Sequence, residues 1–336
     1  MNQAGNGEGQ AVRKEREKQS SVEQSGEEDK NPLRGIALKI ASVAVFVVMA
    51  TCIKLAPDAA TGQIVFFRSF FAMFPILAYL AASGHLGDAF RTSNLVGHVA
   101  RGVMGVCAMG LGFFALTRLP LPDAIALSYA MPLLVVIFSA VFLHESVRLY
   151  RWSAVFVGLA GVLVISWPKL TVLNSADGLS AGEAQGVLAA LAGATVAASV
   201  MLLVRKLVRT ERTATIVLYF SLIAALIGLA TWPLGWAELT WAEIGWLIMS
   251  GFAGGLGQIL LTQSYRHADP QAVAPFEYVS IIIGTAVGYF VFSDIPSSNT
   301  VVGAAIVISA GIFIIWREHQ LGLHRRGARK VMTPQG

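Results

Sequence analysis

The sequence predicts an all-α integral membrane protein whose ten transmembrane helices form two inverted five-helix repeats. The first reason is composition, since 55% of the 336 residues are hydrophobic and only 13% are charged. A soluble domain with a charged surface does not have this composition. The second reason is a series of apolar runs, each close to the roughly 20 residues that a helix needs to cross a bilayer. The third is a segment of the third run that recurs in the eighth.

The apolar runs follow one another at nearly regular spacing after a polar N-terminal segment. Residues 1–32 contain hardly any aliphatic side chains, so they are predicted to be a disordered cytoplasmic tail. The runs are continuous rather than alternating, which favours helices over the strands of a barrel. The predicted helices cover 35–55, 63–83, 95–117, 122–143, 152–167, 184–204, 214–234, 242–263, 271–292 and 299–316.

The longest break between the runs divides the chain into two halves. Residues 169–182 contain several turn-forming residues and are predicted to be a linker. A first five-helix repeat then covers 33–168, and a second covers 183–316. Residues 317–336 are predicted to be a basic cytoplasmic tail.

An internal repeat supports this division. Ala108–Thr117 ends the third predicted helix and Ala253–Thr262 ends the eighth, with six identities at a constant offset of 145 positions. The acids Glu145 and Asp294 likewise follow the fourth helix of each half. Because five crossings is an odd number and the connections are short, the second copy must be inverted relative to the first.

The basic residues of the breaks predict the orientation. Three of them, Lys54, Arg118 and Lys169, fall on one side of the membrane, whereas fourteen fall in the breaks and the C-terminal tail on the other side. Lys and Arg accumulate on the cytoplasmic side of membrane proteins. The sequence therefore predicts a multi-pass protein of the cell (inner) membrane with both termini in the cytoplasm.

Two motifs resemble the EamA-type branch of the drug/metabolite transporter superfamily. They are Leu-His144-Glu145-Ser after the fourth helix and Gly158-Leu-Ala-Gly161-Val-Leu-Val-Ile in the fifth, and the resemblance covers residues 33–316. It implies a secondary carrier of small metabolites, with a central cavity between the inverted halves and no nucleotide-binding domain. The usual Gly-Glu of the family is His144-Glu145 here and Ser293-Asp294 in the second copy.

A further segment, Phe66-Phe67-Arg68-Ser69 in the second helix, resembles a recurrent arginine motif of this branch. The branch includes importers of vitamins and S-adenosylmethionine and exporters of amino acids. The resemblance therefore implies a vitamin, an amino acid or a nucleoside derivative as the class of transported solute.

Glu277 and Arg68 are charged residues within predicted spans, where a charge costs on the order of 2.5–3.5 kcal/mol. Pro275 loosens the ninth helix beside Glu277 by removing a backbone donor. The Glu277 carboxylate could contact a substrate amine, couple transport to protons, or be an interfacial acid near the cytoplasmic end of its helix. Arg68 could clamp a neighbouring helix or bind an anion. Lys39 and Arg101 are expected to snorkel to the cytoplasmic surface.

A second set of candidates surrounds two predicted helix breaks. Ser128 and Tyr129 of the fourth helix correspond in position to Pro275–Tyr278 of the ninth. Broken helices at matching places in two repeats point to a substrate site near the membrane midplane. The two tyrosines could present aromatic faces to a ligand or serve helix packing. The candidate substrate-binding residues are thus Glu277, Tyr278, Tyr129, Ser128, Arg68 and, as a polar residue of the eighth helix, Gln258.

Small residues on the third and eighth helices are predicted to permit close helix packing. They recur at spacings of three or four positions and therefore share one face of each helix. They are Gly105, Ala108 and Gly112 on the third helix and Ala253 and Gly257 on the eighth.

The motifs of enzymes are missing from the sequence. It contains no His-Glu-x-x-His pair, no Gly-x-x-x-x-Gly-Lys and no nucleophile motif. No metal or cofactor is expected, and the scattered basic residues argue against a nucleic-acid partner. The expected partners are the lipid bilayer and a small-molecule solute, with proton or exchange coupling. A non-transporting membrane sensor or assembly protein is the alternative.

Overall fold

The structure is a computed structural model that describes residues 31–84, 86–88, 92–144, 147–171, 181–207, 210–211, 213–268 and 273–331. Within these ranges all regular secondary structure is helical, and ten segments are long and apolar enough to span a membrane. The predicted fold class is therefore confirmed. In chain order, the ten spans are formed by Pro32–Lys54, Thr61–Ala82, Leu95–Arg118, Leu121–Ser128 with Ala130–Phe142, Leu149–Thr171, Ala181–Leu207, Thr213–Ala230, Trp241–His267, Val279–Phe292 and Ser298–Val331.

Side-chain caps fix the beginnings of three spans. The Asn31 side chain accepts a hydrogen bond from the Arg34 amide, and Asn94 accepts one from the Gly97 amide. At the start of the eighth span, Thr240 and Glu243 bond to each other's backbone amide in a capping box. Each cap satisfies amides that the first turn of a helix leaves without a partner.

Two helices extend furthest beyond the bounds that the hydropathy pattern predicts. The fifth runs over Leu149–Thr171, so Lys169 lies in its last turn rather than in the linker. The tenth continues to Val331, well beyond the predicted start of the C-terminal tail at 317. Hydropathy reports only the part of a helix that fits the bilayer, whereas Arg, Gln and Leu also favour helix outside it. Residues 1–30, 172–180 and 332–336, where the tails and the linker were otherwise predicted, lie outside the described residues.

The contacts between spans show how the two halves are related. The first span packs chiefly on the eighth, and the third packs chiefly on the sixth. The second packs on the eighth and the seventh, the fourth packs on the sixth and the ninth, and the fifth packs chiefly on the tenth. The third also contacts the seventh, and the first also contacts the ninth. Exchanging each span for its counterpart in the other half leaves this set of pairs unchanged. The packing is thus that of two equivalent five-helix units related by a pseudo-twofold axis.

Glycines set the closest approach between the halves. At the crossing of the fifth and tenth spans, a Cβ on Gly161 would lie 2.8 Å from the carbonyl oxygen of Gly303. On the eighth span, a Cβ on Gly257 would lie 3.0 Å from the Phe46 ring, and Ala253 is buried. Small residues are needed at such contacts because a side chain would hold the backbones apart.

The predicted packing residues of the third span differ in what they contact. A Cβ on Gly105 would lie 2.7 Å from the Phe220 ring of the seventh span. On the sixth span, the Cβ position of Gly193 lies 3.3 Å from the Ala108 carbonyl oxygen and 3.4 Å from the Gly112 amide. Gly112 itself has no atom within 4 Å of its own Cβ position. Its backbone meets the sixth span there, so its missing side chain is not what permits the contact.

The residues that follow the fourth and ninth spans share an unusual backbone conformation. His144 has a φ of 52° and Ser293 a φ of 58°, in the left-handed region. These are the positions at which the sequence departs from the usual Gly-Glu. Left-handed conformation costs a residue with a Cβ about 1–2 kcal/mol, and glycine avoids this cost. The matching strain supports the inverted repeat. Glu145, beside His144, lies outside the described residues.

Ser293→Gly is expected to raise the free energy of unfolding by about 0.5–1 kcal/mol, because glycine adopts the left-handed conformation without strain. Denaturant titration of the purified protein measures the change. Ser153→Gly is the matched control, since Ser153 is exposed within the fifth helix, where glycine should lower stability by about 0.5–1 kcal/mol. A loss of stability in both variants would contradict the prediction.

Candidate transport site

The breaks of the fourth and ninth spans meet at the interface between the halves. The fourth span is interrupted at Tyr129, which follows the segment Leu121–Ser128. Pro132 lacks the amide that would bond the Ser128 carbonyl, which accounts for the interruption. The ninth span opens with a 3₁₀ turn, Ala274–Tyr278, that carries a proline in its first turn. The ring centroids of Tyr129 and Tyr278 are 4.9 Å apart.

The Tyr129 hydroxyl joins these two breaks. It donates to the Glu277 carbonyl oxygen at 2.7 Å and lies 2.6 Å from Ser280 Oγ. Because the Tyr129 hydroxyl donates its proton to the Glu277 carbonyl, the Ser280 hydroxyl is the donor in the bond between Tyr129 and Ser280. Tyr129 is buried, so its hydroxyl forms its hydrogen bonds within the protein. Tyr278 is half-buried and its hydroxyl lies directly against Gly311 of the tenth span.

Glu277 forms an ion pair with Lys39 of the first span. The distance from Lys39 Nζ to Glu277 Oε2 is 3.3 Å. The lysine side chain is only 4% exposed, whereas the glutamate side chain is 56% exposed. Lys39 Nζ also lies 5.8 Å from the centroid of the Tyr265 ring. The expectation that Lys39 snorkels to the surface is therefore wrong, because its ammonium group is buried against a carboxylate.

A second ion pair joins the same two spans at their other ends. Lys54 Nζ lies 3.4 Å from Asp294 Oδ2 and donates to the Leu119 carbonyl oxygen at 2.7 Å. The Asp294 carboxylate also accepts a hydrogen bond from the Leu121 amide at 3.2 Å. Lys39 and Lys54 are separated by about 22 Å along the first helix. The first and ninth spans, which belong to different halves, are therefore tied at both ends.

Arg68 lies between spans with little to compensate its charge. Its Nη1 donates a hydrogen bond to Met109 Sδ at 3.4 Å, the one hydrogen bond it makes within the described residues. Its Nε is shielded from solvent and has no partner there. A Cβ on Gly254 would lie 3.3 Å from that Nε and 3.1 Å from Met49 Sδ. None of the ion pairs among the described residues includes Arg68.

Arg101 turns inward rather than toward the membrane surface. Its Nη1 lies 3.4 Å from the Cβ position of Gly105, one turn further into the span. Its Cζ is 4.0 Å from the centroid of the Phe220 ring, and its Nε and Nη1 are shielded without hydrogen-bond partners among the described residues. Snorkelling would direct the side chain toward the helix start, so that expectation is wrong for Arg101.

The remaining candidates are less directly connected to these groups. Ser128 is exposed, and its hydroxyl donates to the Ile125 carbonyl oxygen at 2.6 Å. Gln258 is half-buried, and its side chain has no hydrogen bond within the described part of the chain. The structure thus brings Tyr129, Tyr278 and Glu277 into contact. Arg68 contacts none of them.

The ten-span architecture corresponds to a known protein family. The model of the EamA-like transporter family matches the chain twice, over residues 33–167 and 184–317. The chain belongs to this family. A solved crystal structure shares the fold with a TM-score of 0.60 at 18% identity, over 85% of this chain and 98% of that one.

Curated relatives of this EamA-like protein are named for the solutes that they move. The S-adenosylmethionine uptake transporter of Rickettsia bellii is 27% identical and covers 76% of this chain and 84% of its own. The pseudopaline exporter of Pseudomonas aeruginosa is 31% identical, with coverages of 83% and 94%. The riboflavin transporter of Vibrio cholerae is 29% identical, with coverages of 72% and 78%. With the ten spans, the family and these names indicate a multi-pass membrane transporter of small solutes.

Glu211 is the centre of a hydrogen-bonded polar cluster that was not predicted from the sequence. Its Oε1 accepts hydrogen bonds from the Thr92 hydroxyl, from the amide and hydroxyl of Ser93 and from the Asn94 amide, at 2.9 to 3.1 Å. Its Oε2 lies 3.6 Å from Nε2 of the buried His98. Burial raises the pKa of Glu211, but the hydrogen bonds from Ser93 and Thr92 outweigh burial and lower the pKa from 4.5 to about 2.

This cluster predicts a pH dependence of stability. Because the pKa of Glu211 is lower in the folded state than its ordinary 4.5, its ionised form stabilises the fold above that pH. The contribution is lost as the pH falls from 4.5 toward 2. Glu211→Gln should therefore unfold at a lower temperature than the wild type near pH 7, and this difference should shrink as the pH falls below 4.5. Thr92→Val removes one hydrogen-bond donor to Glu211, so its unfolding temperature near pH 7 should lie between those of Glu211→Gln and the wild type. A difference that is constant with pH would contradict the prediction.

Proposed function

We propose that the protein is a secondary carrier that moves a small metabolite by alternating access between its two five-helix repeats. The observation that carries this proposal is the contact of Tyr129 with Tyr278 at matching helix breaks of the two halves. In carriers built from inverted repeats, broken helices of this kind surround the substrate near the bilayer midplane. The names of the relatives support a vitamin, an amino acid derivative or a nucleoside derivative as the solute.

The two ion pairs of the first and ninth spans act as gates at opposite ends of the site. Each pair joins one half to the other, so rocking the halves apart at one end separates the pair at that end. Glu277 is 56% exposed and Asp294 only 21% exposed. Both pairs are formed in this conformation, and the carboxylate is the more exposed of the two at the end that carries Lys39 and Glu277. The charge distribution supports cytoplasmic termini in the inner membrane, which makes this the cytoplasmic gate.

The solute binds beside the helix breaks. Tyr278 supplies an aromatic face, and the exposed oxygen of Glu277 and the unbonded amide of Gln258 supply polar contacts. Ser128, which is exposed at the break of the fourth span, supplies a further hydroxyl. Tyr129 does not contact the solute through its hydroxyl, because that hydroxyl forms the hydrogen bonds that hold the two breaks together. Glu277 also couples transport to protons or to a counter-solute, because protonation or a bound cation weakens its ion pair with Lys39.

Flux into liposomes that contain only the purified protein tests the function. The panel comprises S-adenosylmethionine, riboflavin, nucleosides and amino acids, and a thermal-shift screen of the same compounds selects the first candidates. A carrier gives saturable uptake, and the same solute loaded inside accelerates it because one site faces the two sides in turn. Saturable uptake without this acceleration would contradict alternating access. The absence of flux for the whole panel would support a sensor or assembly protein.

A further inference from the structure

Arg68 and Arg101 are two cationic residues inside the membrane that the described part of the chain leaves without an ion-pair partner. They lie on the second and third spans. Arg68 Nη1 lies 3.4 Å from Met109 Sδ, and Arg101 Nη1 lies 3.4 Å from the Cβ position of Gly105, so both guanidinium groups lie against adjacent turns of the third span. No ion pair among the described residues includes either one. Three of their nitrogen atoms are shielded without hydrogen-bond partners in those ranges.

The two side chains converge from opposite sides of the bilayer. Arg68 is seven residues from the start of the second helix, or about 10 Å along its axis. Arg101 is six residues from the start of the third helix, or about 9 Å. Because consecutive spans are antiparallel, these two starts lie on opposite faces of the membrane. Arg101 extends toward the end of its helix, against the usual lean of helical side chains, and this brings it nearer to Arg68.

Glycines provide the space around both groups. Gly254 allows the Arg68 guanidinium to lie against the eighth span, and Gly105 leaves room for that of Arg101. The other neighbours are Met49, Met109 and Phe220. Thioethers and an aromatic face tolerate a cation, but they do not replace the hydrogen bonds to water that each guanidinium has lost.

We propose that Arg68 and Arg101 bind the anionic group of the transported solute, a carboxylate or a phosphate. Two guanidinium groups match the paired oxygens of such a group and bind it through several charge-assisted hydrogen bonds. The cost of two like charges in a membrane is then offset when the solute occupies the site. This inference rests on the proposed carrier function and assigns the class of its solute.

Binding of small oxyanions tests the pair without knowledge of the solute. The probes are acetate and inorganic phosphate, with acetamide as the uncharged match for acetate, and thermal unfolding of the purified protein at constant ionic strength is the readout. Acetate or phosphate, but not acetamide, should raise the unfolding temperature of the wild type. In Arg68→Gln and in Arg101→Gln the apparent affinity should fall by about tenfold or more. Stabilisation by one oxyanion alone identifies which group the site prefers.

The matched control is Arg148→Gln, because Arg148 is an exposed arginine between the fourth and fifth spans. It should respond to the probes as the wild type does, which also corrects for general salt effects. An equal response in the wild type and in both inner variants would overturn the inference, as would the absence of any response in the wild type. Arg68→Met provides a separate readout, since removing an uncompensated charge should raise the unfolding temperature without ligand. A marked loss of stability would identify Arg68 as a structural clamp and overturn its role in binding.

Liposome flux separates this inference from the carrier function. If the wild type transports a solute and Arg68→Gln and Arg101→Gln transport it equally well, the carrier function stands and the anion site is wrong. If no solute is transported while the oxyanions bind only in the presence of both arginines, the carrier function fails and the site stands.

Discussion

Replacing Lys169 by methionine is expected to lower the free energy of unfolding by about 3–5 kcal/mol. Lys169 Nζ lies 2.5 Å from Asp123 Oδ2 and 3.0 Å from Glu183 Oε2, so it joins the fourth, fifth and sixth helices. Asp123 is only 4% exposed on its side chain, and its other oxygen has no hydrogen-bond partner in the described residues. Removing the lysine leaves a buried carboxylate uncompensated.

Denaturant unfolding of the purified protein measures this loss. The double variant Asp123→Asn with Lys169→Met should recover most of the stability, because it removes both charges and not just one. Lys206→Met is the control, since Lys206 is exposed at the end of the sixth helix and should change stability by less than about 0.5 kcal/mol. If Lys169→Met and the double variant are equally unstable, loss of the ion pair with Asp123 does not cause the loss of stability.

Glu277→Gln is expected to lower stability more than Lys39→Met does. The lysine is 4% exposed and the glutamate 56% exposed. Removing the glutamate therefore leaves a buried ammonium group without its partner, at a cost of about 3–5 kcal/mol. Removing the lysine leaves a carboxylate that water already solvates, at a cost of about 1 kcal/mol or less. The order of the two variants follows from burial alone.

Transport by these variants tests the proposed gate. Each single replacement should reduce flux in liposomes by about tenfold, because the gate no longer favours its closed state. The double variant Glu277→Gln with Lys39→Met should regain stability, but its flux should not regain the dependence on pH. Flux and pH dependence that are unchanged in Glu277→Gln would contradict both the gating and the coupling roles of this residue.

The inverted repeat could be predicted because its signs are local in the sequence. Hydropathy located the spans, and the repeated segments Ala108–Thr117 and Ala253–Thr262 fell in the same span of each half. Pro132 and Pro275 lie at the two helix breaks, where proline removes a backbone donor, whereas Pro75 lies inside the uninterrupted second helix. The family comparison agrees with this architecture.

The partners of the charged residues could not be predicted. Lys39 and Glu277 are 238 positions apart, and their contact depends on how the first and ninth helices are rotated about their axes. In a soluble helix the apolar stripe reveals this rotation. In a membrane both the lipid-facing side and the interior side are apolar, so the pattern specifies depth but not direction. The same ambiguity made Arg101 appear to be a snorkelling residue.

The membrane class, the ten spans, their duplication and the places where two spans break could all be predicted, because they depend on the order of apolar residues and prolines along the chain. The packing of the spans, in contrast, sets three features: the Tyr129 hydroxyl joins the two breaks, two ion pairs tie the first span to the ninth, and Arg68 and Arg101 have no ion-pair partner among the described residues. These features arise when helices distant in sequence pack at one rotation and not another, which is a property of the assembled bundle.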